Sequence, residues 1–326
     1  MANTSNNILA DIKITMLGGS GAGKTCFMLA MYDIMSMGVE GFTFSTINPD
    51  DGLDLEDQWN KLCDGTDVDR WPKGSEGSRP YTFRFSFGFK EYLSFEWLDY
   101  RGGALTGRAD DPDLAKLRSS LKSSFGIFIV VPADQLVKND RQAIRGMNVK
   151  GINQLLAELS DESHPRVVSI VITKMDIWLK EIGLNQQNEL VSRIKSIFSP
   201  LFVPDGNWTV SIVPITLGEN LCDNLARGAI APQLIHYPVT FTIYELFLKQ
   251  LEAAEAEKQI LIDRSANRKP PTFWGDLFGR PDSNDAESEA KKAQLEAWSI
   301  SCKAACQNIS QALKADIPIF KNGKSN

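Results

Sequence analysis

The sequence predicts an α/β protein: a doubly wound, six-stranded, mostly parallel sheet followed by a C-terminal helical extension. Three observations predict it. Six short apolar runs are separated mostly by helical or loop stretches, the pattern of crossover-connected strands. The first run ends in glycines that open directly into an apolar helix. Two long segments near the end carry apolar residues at spacings of three and four.

Ile12 to Leu17 is the first run, and Lys24 to Met37 the helix after it. More than 40 residues then precede the next strands, an insertion at about 38–80 that holds a helix near Leu53 to Cys63 and a loop, Asp64 to Pro80, rich in Gly, Ser, Pro and charge. A loop of that length in a compact domain is usually functional or mobile. Tyr81 to Phe87 and Tyr92 to Leu98 are joined only by Gly88 to Glu91, too few residues for a crossover, so they form an antiparallel hairpin. Phe125 to Val131, Val167 to Ile172 and Thr209 to Ile215 complete the six strands. From Pro238 a helix runs to about Arg268, striped by Phe241, Tyr244, Leu248, Leu251 and Ala254, and Pro270 and Pro271 end it. Trp274 to Phe278 is an aromatic cluster expected to pack at that helix end, and Arg280 to Glu289 reads as an acidic linker. The last helix, about Ser288 to Ala315, aligns Leu295, Trp298, Cys302, Cys306, Ile309 and Leu313.

Composition narrows the function classes. The 326 residues are 43% hydrophobic and 23% charged, enough for a substantial core. Lys plus Arg number 35 against 41 Asp plus Glu, a net charge of -6 that argues against nonspecific nucleic-acid binding. The longest apolar run, Phe125 to Ala133, falls far short of the roughly 20 residues that cross a bilayer. Residues 1–7 lack a basic start and an apolar signal core, and five scattered cysteines fit reduced thiols, so a cytoplasmic location is expected. Cys302 and Cys306, one helical turn apart, read as core packing, and His164 and His236 are assigned no chemistry.

Gly18-Gly-Ser-Gly-Ala-Gly-Lys-Thr25 satisfies G-x-x-x-x-G-K-[ST] and sits between a predicted strand and a predicted helix, the context that gives the pattern meaning. Glycines let backbone N–H groups turn inward around phosphate oxygens, and the helix N-terminus adds its positive dipole end. The candidate nucleotide-binding residues are therefore Gly18, Ser20, Gly21, Ala22, Gly23, Lys24, Thr25 and Cys26. Lys24 would reach the β- and γ-phosphates, and Thr25 would offer its hydroxyl to Mg²⁺. Asp99-Tyr-Arg-Gly102 follows the second hairpin strand, where Asp99 would reach the metal shell and the Gly102 N–H the γ-phosphate. Thr173-Lys-Met-Asp176 ends another strand; Asp176 would accept from guanine N1–H and the exocyclic amine, a donor pair adenine lacks, while the Lys174 stem lies along the ring. Thr216 and Leu217, past the next strand, would supply backbone N–H groups near guanine O6.

Through GGSGAGKT, DYRG and TKMD, in that order and each at a strand end, the sequence resembles the Ras-like GTPases of the translation-factor-related class over about Asp11 to Gln250. Its insertion, its WPKGSEGS stretch and its helical extension look most like bacterial GTPases associated with conflict or defence systems. The resemblance implies the P-loop GTPase fold, a GTP-binding domain at 11–250, and a helical extension at 251–326 with a linker at about 270–288. It also implies GTP/GDP and Mg²⁺ as cofactors and switch segments that order around the γ-phosphate. A protein effector or activating partner is expected, with homo-oligomerisation left open.

Two departures stand out. No Thr lies where the family's first switch reads metal and γ-phosphate; Ser75 and Ser78 are the nearest hydroxyls, with Thr66 further back. Gly103 follows Gly102 where many members carry a water-positioning Gln, so intrinsic hydrolysis is expected to be slow, with Arg70, Arg101 or Arg108, or a partner, as compensating groups. The catalytic candidates are thus Lys24, Asp99, Arg101 and Gly102, and the metal candidates Thr25, Asp99, Ser75 and Ser78. A nucleotide-controlled switch with slow GTPase activity is the leading reading, a non-hydrolysing GTP-bound scaffold the alternative, and a P-loop ATPase or kinase a third that TKMD argues against.

Overall fold

The computed structural model describes residues 12–65, 70–72, 79–99, 111–159, 166–183, 187–204, 206–217, 234–266 and 283–325. They divide into two compact units, Met1–Thr242 with Ala315–Asn326, and Ile243–Lys314. In chain order the first part holds β1 (Ile12–Leu17), α1 (Lys24–Met37), β2 (Phe42–Thr46), α2 (Pro49–Asp64), β3 (Arg79–Phe87) and β4 (Lys90–Asp99). There follow α3 (Pro112–Ser123), β5 (Gly126–Pro132), α4 (Ala133–Lys138), α5 (Arg141–Gly146), α6 (Val149–Ala157), β6 (Arg166–Thr173), α7 (Met175–Glu181), α8 (Gln187–Ile197) and β7 (Trp208–Pro214). The last elements are α9 (Tyr237–Ala266), α10 (Ser283–Ala312), β8 (Ile319–Lys321) and β9 (Lys324–Ser325).

Among the described residues the sheet has nine strands in the order β2-β3-β4-β1-β5-β6-β7-β8-β9, not the six expected. The six predicted strands are its contiguous middle, and β4-β1-β5-β6-β7 are mutually parallel. β3 and β4 pair antiparallel around Gly88 and Phe89, both at positive φ, the geometry of a tight hairpin turn. The additions are at the edges. β2 is a five-residue strand inside the insertion, held to β3 by an aromatic stack in which Phe42 lies 5.0 Å from Phe85 and Phe44 5.8 Å from Phe83. β8 is three residues long and pairs antiparallel with β7, so the chain beyond 315 returns to the sheet instead of remaining helical.

Burial explains why the central strands are so apolar. Every residue of β5 and of β6 is buried, as expected for parallel strands covered by helices on both faces. The few polar groups there are matched: Ser169 and Ser211 sit opposite each other in the β6–β7 register with hydroxyls 2.9 Å apart, and Thr15 bonds Ser124 at 2.7 Å. Because β4, β1, β5, β6 and β7 run in one direction, their carboxyl ends share an edge, the place where open α/β sheets take ligands.

Within Ile243–Lys314 the two long helices are joined by ion pairs Lys258–Glu296, Lys291–Glu257 and Lys303–Glu255, which set them antiparallel. These pairs are exposed and add little net stability. On α10, Leu295, Cys302 and Ile309 are buried, three of the stripe read from the sequence. The acidic linker expected from Arg280 is corrected in part, since Ser283 onward is already helix. Burial pushes the Cys302 thiol up to about 12 and Cys306 up to about 11, which keeps both protonated. Trp274–Phe278, Cys222 and His164 lie outside the described residues.

His236, just before α9, is buried, with Nδ1 3.1 Å from Thr240 Oγ1, whose own hydroxyl donates to the His236 carbonyl at 3.0 Å. Burial lowers its imidazole from 6.5 to about 4. A base whose folded value is depressed binds its proton more readily when unfolded, so its contribution is present above pH 6.5 and is lost as pH falls toward 4. Denaturant unfolding at pH 7 and pH 5 is expected to show the wild type losing about 1 to 2 kcal/mol more across that interval than His236→Gln; equal losses would exclude a buried neutral His236.

Candidate functional site

The loop between β1 and α1 is forced into shape by its surroundings. A Cβ on Gly18 would lie 2.7 Å from the Val130 carbonyl oxygen of β5, so the loop leans across that neighbouring strand only because Gly18 has no side chain. Gly23 takes φ +93, a left-handed turn that hands the chain directly to α1 at Lys24. Ser20 and Gly21 stand exposed at the tip, whereas Ala22 is buried. The Lys24 side chain is buried and folds back, Nζ donating to the carbonyls of Gly18 at 2.9 Å and Gly19 at 3.1 Å. Desolvation lowers its pKa below the usual lysine value, and the Asp99 carboxylate opposes that shift. A buried ammonium beside the N-terminus of a 14-residue helix is an anion-holding arrangement.

Next to it, Thr25 Oγ1 donates to Asp99 Oδ2 at 3.2 Å, joining residues 74 apart in sequence. Asp99 is the buried last residue of β4. Two oxygen donors at this separation suit a hard divalent cation. Cys26 is half-buried, its thiol pushed up to about 11 chiefly by burial, with Lys174 pulling down and Asp99 pushing up. Arg70 is engaged elsewhere: Nε donates to the Leu62 carbonyl at 3.0 Å, and its guanidinium lies 5.2 Å from the Trp71 ring centre. Thr66, Ser75, Ser78, Arg101, Gly102, Gly103 and Arg108 lie outside the described residues.

At the end of β6, consecutive motif residues are held by different partners. Thr173, buried, donates its hydroxyl to the Ala22 carbonyl at 2.7 Å, a bond between residues 151 apart. Lys174 adopts a left-handed backbone (φ +57) and places Nζ 3.2 Å from Asp134 Oδ1. Asp176 lies in the first turn of α7: its N–H donates to Thr216 Oγ1 at 2.8 Å, and that hydroxyl donates back to Asp176 Oδ1 at 3.2 Å. Thr216 is buried while Asp176 is exposed, so the carboxylate is oriented from below and open above. The Ile215 N–H on the Ile172 carbonyl at 2.8 Å and the Met175 N–H on the Ile215 carbonyl at 3.2 Å fasten the two segments together. Leu217, half-buried, follows them as the last described residue before 234.

Hydrogen bonds thus link three of the sequence-predicted segments in two groups, Lys24 to Thr25 with Asp99 and Ala22 with Thr173, and the Asp176–Thr216 pair adds a fourth. Sequence reasoning missed Asp134, two residues past the end of β5 at the same sheet edge, and Gly146, whose carbonyl would lie 2.6 Å from a Cβ on Gly19. The signal available for Asp134 was its place at a strand's carboxyl end.

The family model described as Double-GTPase 2 matches residues 12–203. The chain belongs to the Double-GTPase 2 family. The matched part of this Double-GTPase 2 chain runs from β1 past α8 and includes every site segment except Thr216 and Leu217. It makes the chain a GTPase-like domain on an α/β P-loop fold, here with a C-terminal helical extension. Among solved structures the chain is similar to the S. cerevisiae Ski7 GTPase-like domain bound to GTP, at 14% identity and a TM-score of 0.36, covering 63% of this chain and 42% of that one. It is also similar to an ADP ribosylation factor-like GTP binding protein/small COPII coat GTPase SAR1 from Encephalitozoon cuniculi in complex with GDP. That likeness has 12% identity and a TM-score of 0.35, covering 74% of this chain and 84% of that one. The chain thus spans less than half of the Ski7 structure. No curated protein matches the sequence. Among the described residues no helix is long and apolar enough to cross a membrane.

Thr173→Val keeps the strand-compatible shape but strands the buried Ala22 carbonyl. A loss of about 1 to 3 kcal/mol in urea unfolding is expected; an unchanged midpoint would show that this bond does not hold the loop.

Proposed function

We propose that this chain binds Mg²⁺-GTP at the carboxyl edge of its sheet and hydrolyses it slowly, as a nucleotide-controlled switch that recruits or regulates a protein partner. The observation that carries this reading is the 2.7 Å bond from Thr173 to Ala22, which fastens the segment suited to reading guanine onto the segment suited to holding phosphates. In this reading Gly18 to Cys26 cradle the phosphates and Lys24 exchanges its two loop carbonyls for phosphate oxygens. Thr25 and Asp99, with Ser75 or Ser78, hold Mg²⁺, which when bound neutralises charge on the phosphate oxygens. Asp176, oriented by Thr216, accepts the guanine donors, Lys174 flanks the ring, and the Thr216 and Leu217 backbone faces O6. Arg101 and Gly102 belong to the γ-phosphate side.

The motif order supports placing the chain with the Ras-like, translation-factor-related GTPases, its insertion and extension support a conflict-system relative, and its scattered cysteines fit reduced thiols in the cytoplasm. The nucleotide-binding domain is assigned to about 11–250, with the helices beyond it transmitting the nucleotide state to a partner. Gly103, standing where a water-positioning Gln is common, favours a second reading in which bound GTP stabilises an interaction surface without turnover. Single-turnover hydrolysis of GTP, with and without a candidate partner, separates the two.

A guanine nucleotide is expected to copurify with the protein, and Lys24→Ala is expected to abolish tight binding because the loop loses its one ammonium. Asp176→Asn replaces a charged acceptor by an amide that donates to a 2-oxo group, so GTP binding should weaken by about 1.5 to 3 kcal/mol while xanthosine triphosphate gains. Equal competition by ATP and GTP in the wild type would overturn the base assignment; unchanged affinity in Lys24→Ala would overturn the phosphate assignment.

A further inference from the structure

In the base-side segment the Lys174 ammonium meets a carboxylate from a distant part of the chain. Asp134 Oδ1 lies 3.2 Å from Lys174 Nζ, and the other oxygen of the same carboxylate accepts from Gln135 Nε2 at 2.9 Å. The Gln135 bond orients the carboxylate, and its other oxygen, which accepts no hydrogen bond, meets Lys174 as an ion pair. Asp134 is itself well anchored. It lies in α4, and Arg193 of α8 donates to the carbonyls of Leu136 at 2.5 Å and Val137 at 3.3 Å near the end of that helix. The Arg193 guanidinium also lies 5.1 Å from the ring centre of Trp178, a buried residue of α7, the helix that Lys174 precedes. The helix carrying Asp134 and the helix following Lys174 are thus locked to a common third element.

Lys174 needs such a restraint. Its backbone is in the left-handed region at φ +57, which sets its side chain off at a turn, and a four-carbon stem has many rotamers to lose. The side chains of Lys174 and Asp134 are 42% and 23% exposed, so their attraction is modest, but it selects one stem direction in advance of any ligand.

We propose that Asp134 is a positioning residue for base recognition: by holding the Lys174 ammonium it lays the lysine stem where a purine ring is to rest, and so raises affinity for the base half of a guanine nucleotide without touching the phosphates. This rests on the guanine-nucleotide reading given above. Asp134 acts through Lys174 alone, so its effect is common to every ligand that carries the base and absent from ligands that do not.

The test is a double-mutant cycle on the full chain with wild type, Asp134→Asn, Lys174→Gln and the double variant, using fluorescent GTP and GDP analogues and inorganic tripolyphosphate as a competitor. Asp134→Asn keeps the size of the side chain and an acceptor for Gln135; Asp134→Ser serves should the amide variant not purify folded. Expected is a roughly two- to fivefold weaker Kd for Asp134→Asn, by the same factor for GTP and GDP, with tripolyphosphate affinity unchanged. In the Lys174→Gln background the Asp134 substitution should then have no further effect. An unchanged Kd, a loss confined to GTP, an equal loss for tripolyphosphate, or full additivity with Lys174→Gln would each overturn the role of Asp134 while leaving guanine-nucleotide binding intact. Wild-type protein that binds neither nucleotide would instead bring down the guanine reading, and this role with it.

Discussion

The carboxyl edge of the sheet depends on one buried contact, the Thr173 hydroxyl on the Ala22 carbonyl. β1 and β6 are not neighbours, since β5 runs between them. A loop springing from β1 can meet the end of β6 only by lying across the end of β5, a reach of about two inter-strand spacings, or roughly 9 to 10 Å. The close approach of Gly18 to the Val130 carbonyl shows how tightly it does so. A carbonyl carried into that position is cut off from water and must find a donor. Thr173 supplies it and pins the loop with the same bond. Once the loop is pinned, the start of α1 has a place, Thr25 meets Asp99, and the segment after Thr173 begins beside the loop.

The charges at this edge follow the same logic of satisfaction. A buried ammonium is costly unless something answers its donors. Lys24 is answered by two loop carbonyls and opposed in sign by Asp99, while the more exposed Lys174 is answered by Asp134. Neutral partners suffice to hold Lys24 in place and are weaker acceptors than a charged oxyanion, which leaves the ammonium available for exchange.

Outside that edge the architecture solves a different problem. A parallel core ends in edge strands whose free N–H and C=O groups invite unwanted pairing. β2 extends one side through aromatic contacts, and β8 with β9 extends the other by a short antiparallel return. Between β7 and that return the chain makes its two long helices, which associate with each other through a buried apolar seam on α10 and flanking exposed ion pairs.

The sequence by itself determined whatever is written in local periodicity and local backbone chemistry. Runs such as Phe125 to Val131 and Val167 to Ile172 are apolar enough to be strands in any setting, Gly88 with its neighbours leaves no room for anything but a hairpin, and the glycines of the first loop admit a turn that other residues would forbid. That is why the parallel middle of the sheet and the positions of Lys24, Asp99, Thr173 and Asp176 at its strand ends were legible. Tertiary structure decided the rest. β2 and β8 are too short to carry a period and are strands because β3 and β7 offer them hydrogen bonds; Ser283 to Glu289 has a composition that suits linker or helix equally, and is helix. The pairings of Thr173 with Ala22, Asp176 with Thr216 and Lys174 with Asp134 join residues 151, 40 and 40 apart. No local pattern encodes which distant side chain will answer a buried hydroxyl or a turned-out ammonium, because that choice exists only after the strands between them have packed.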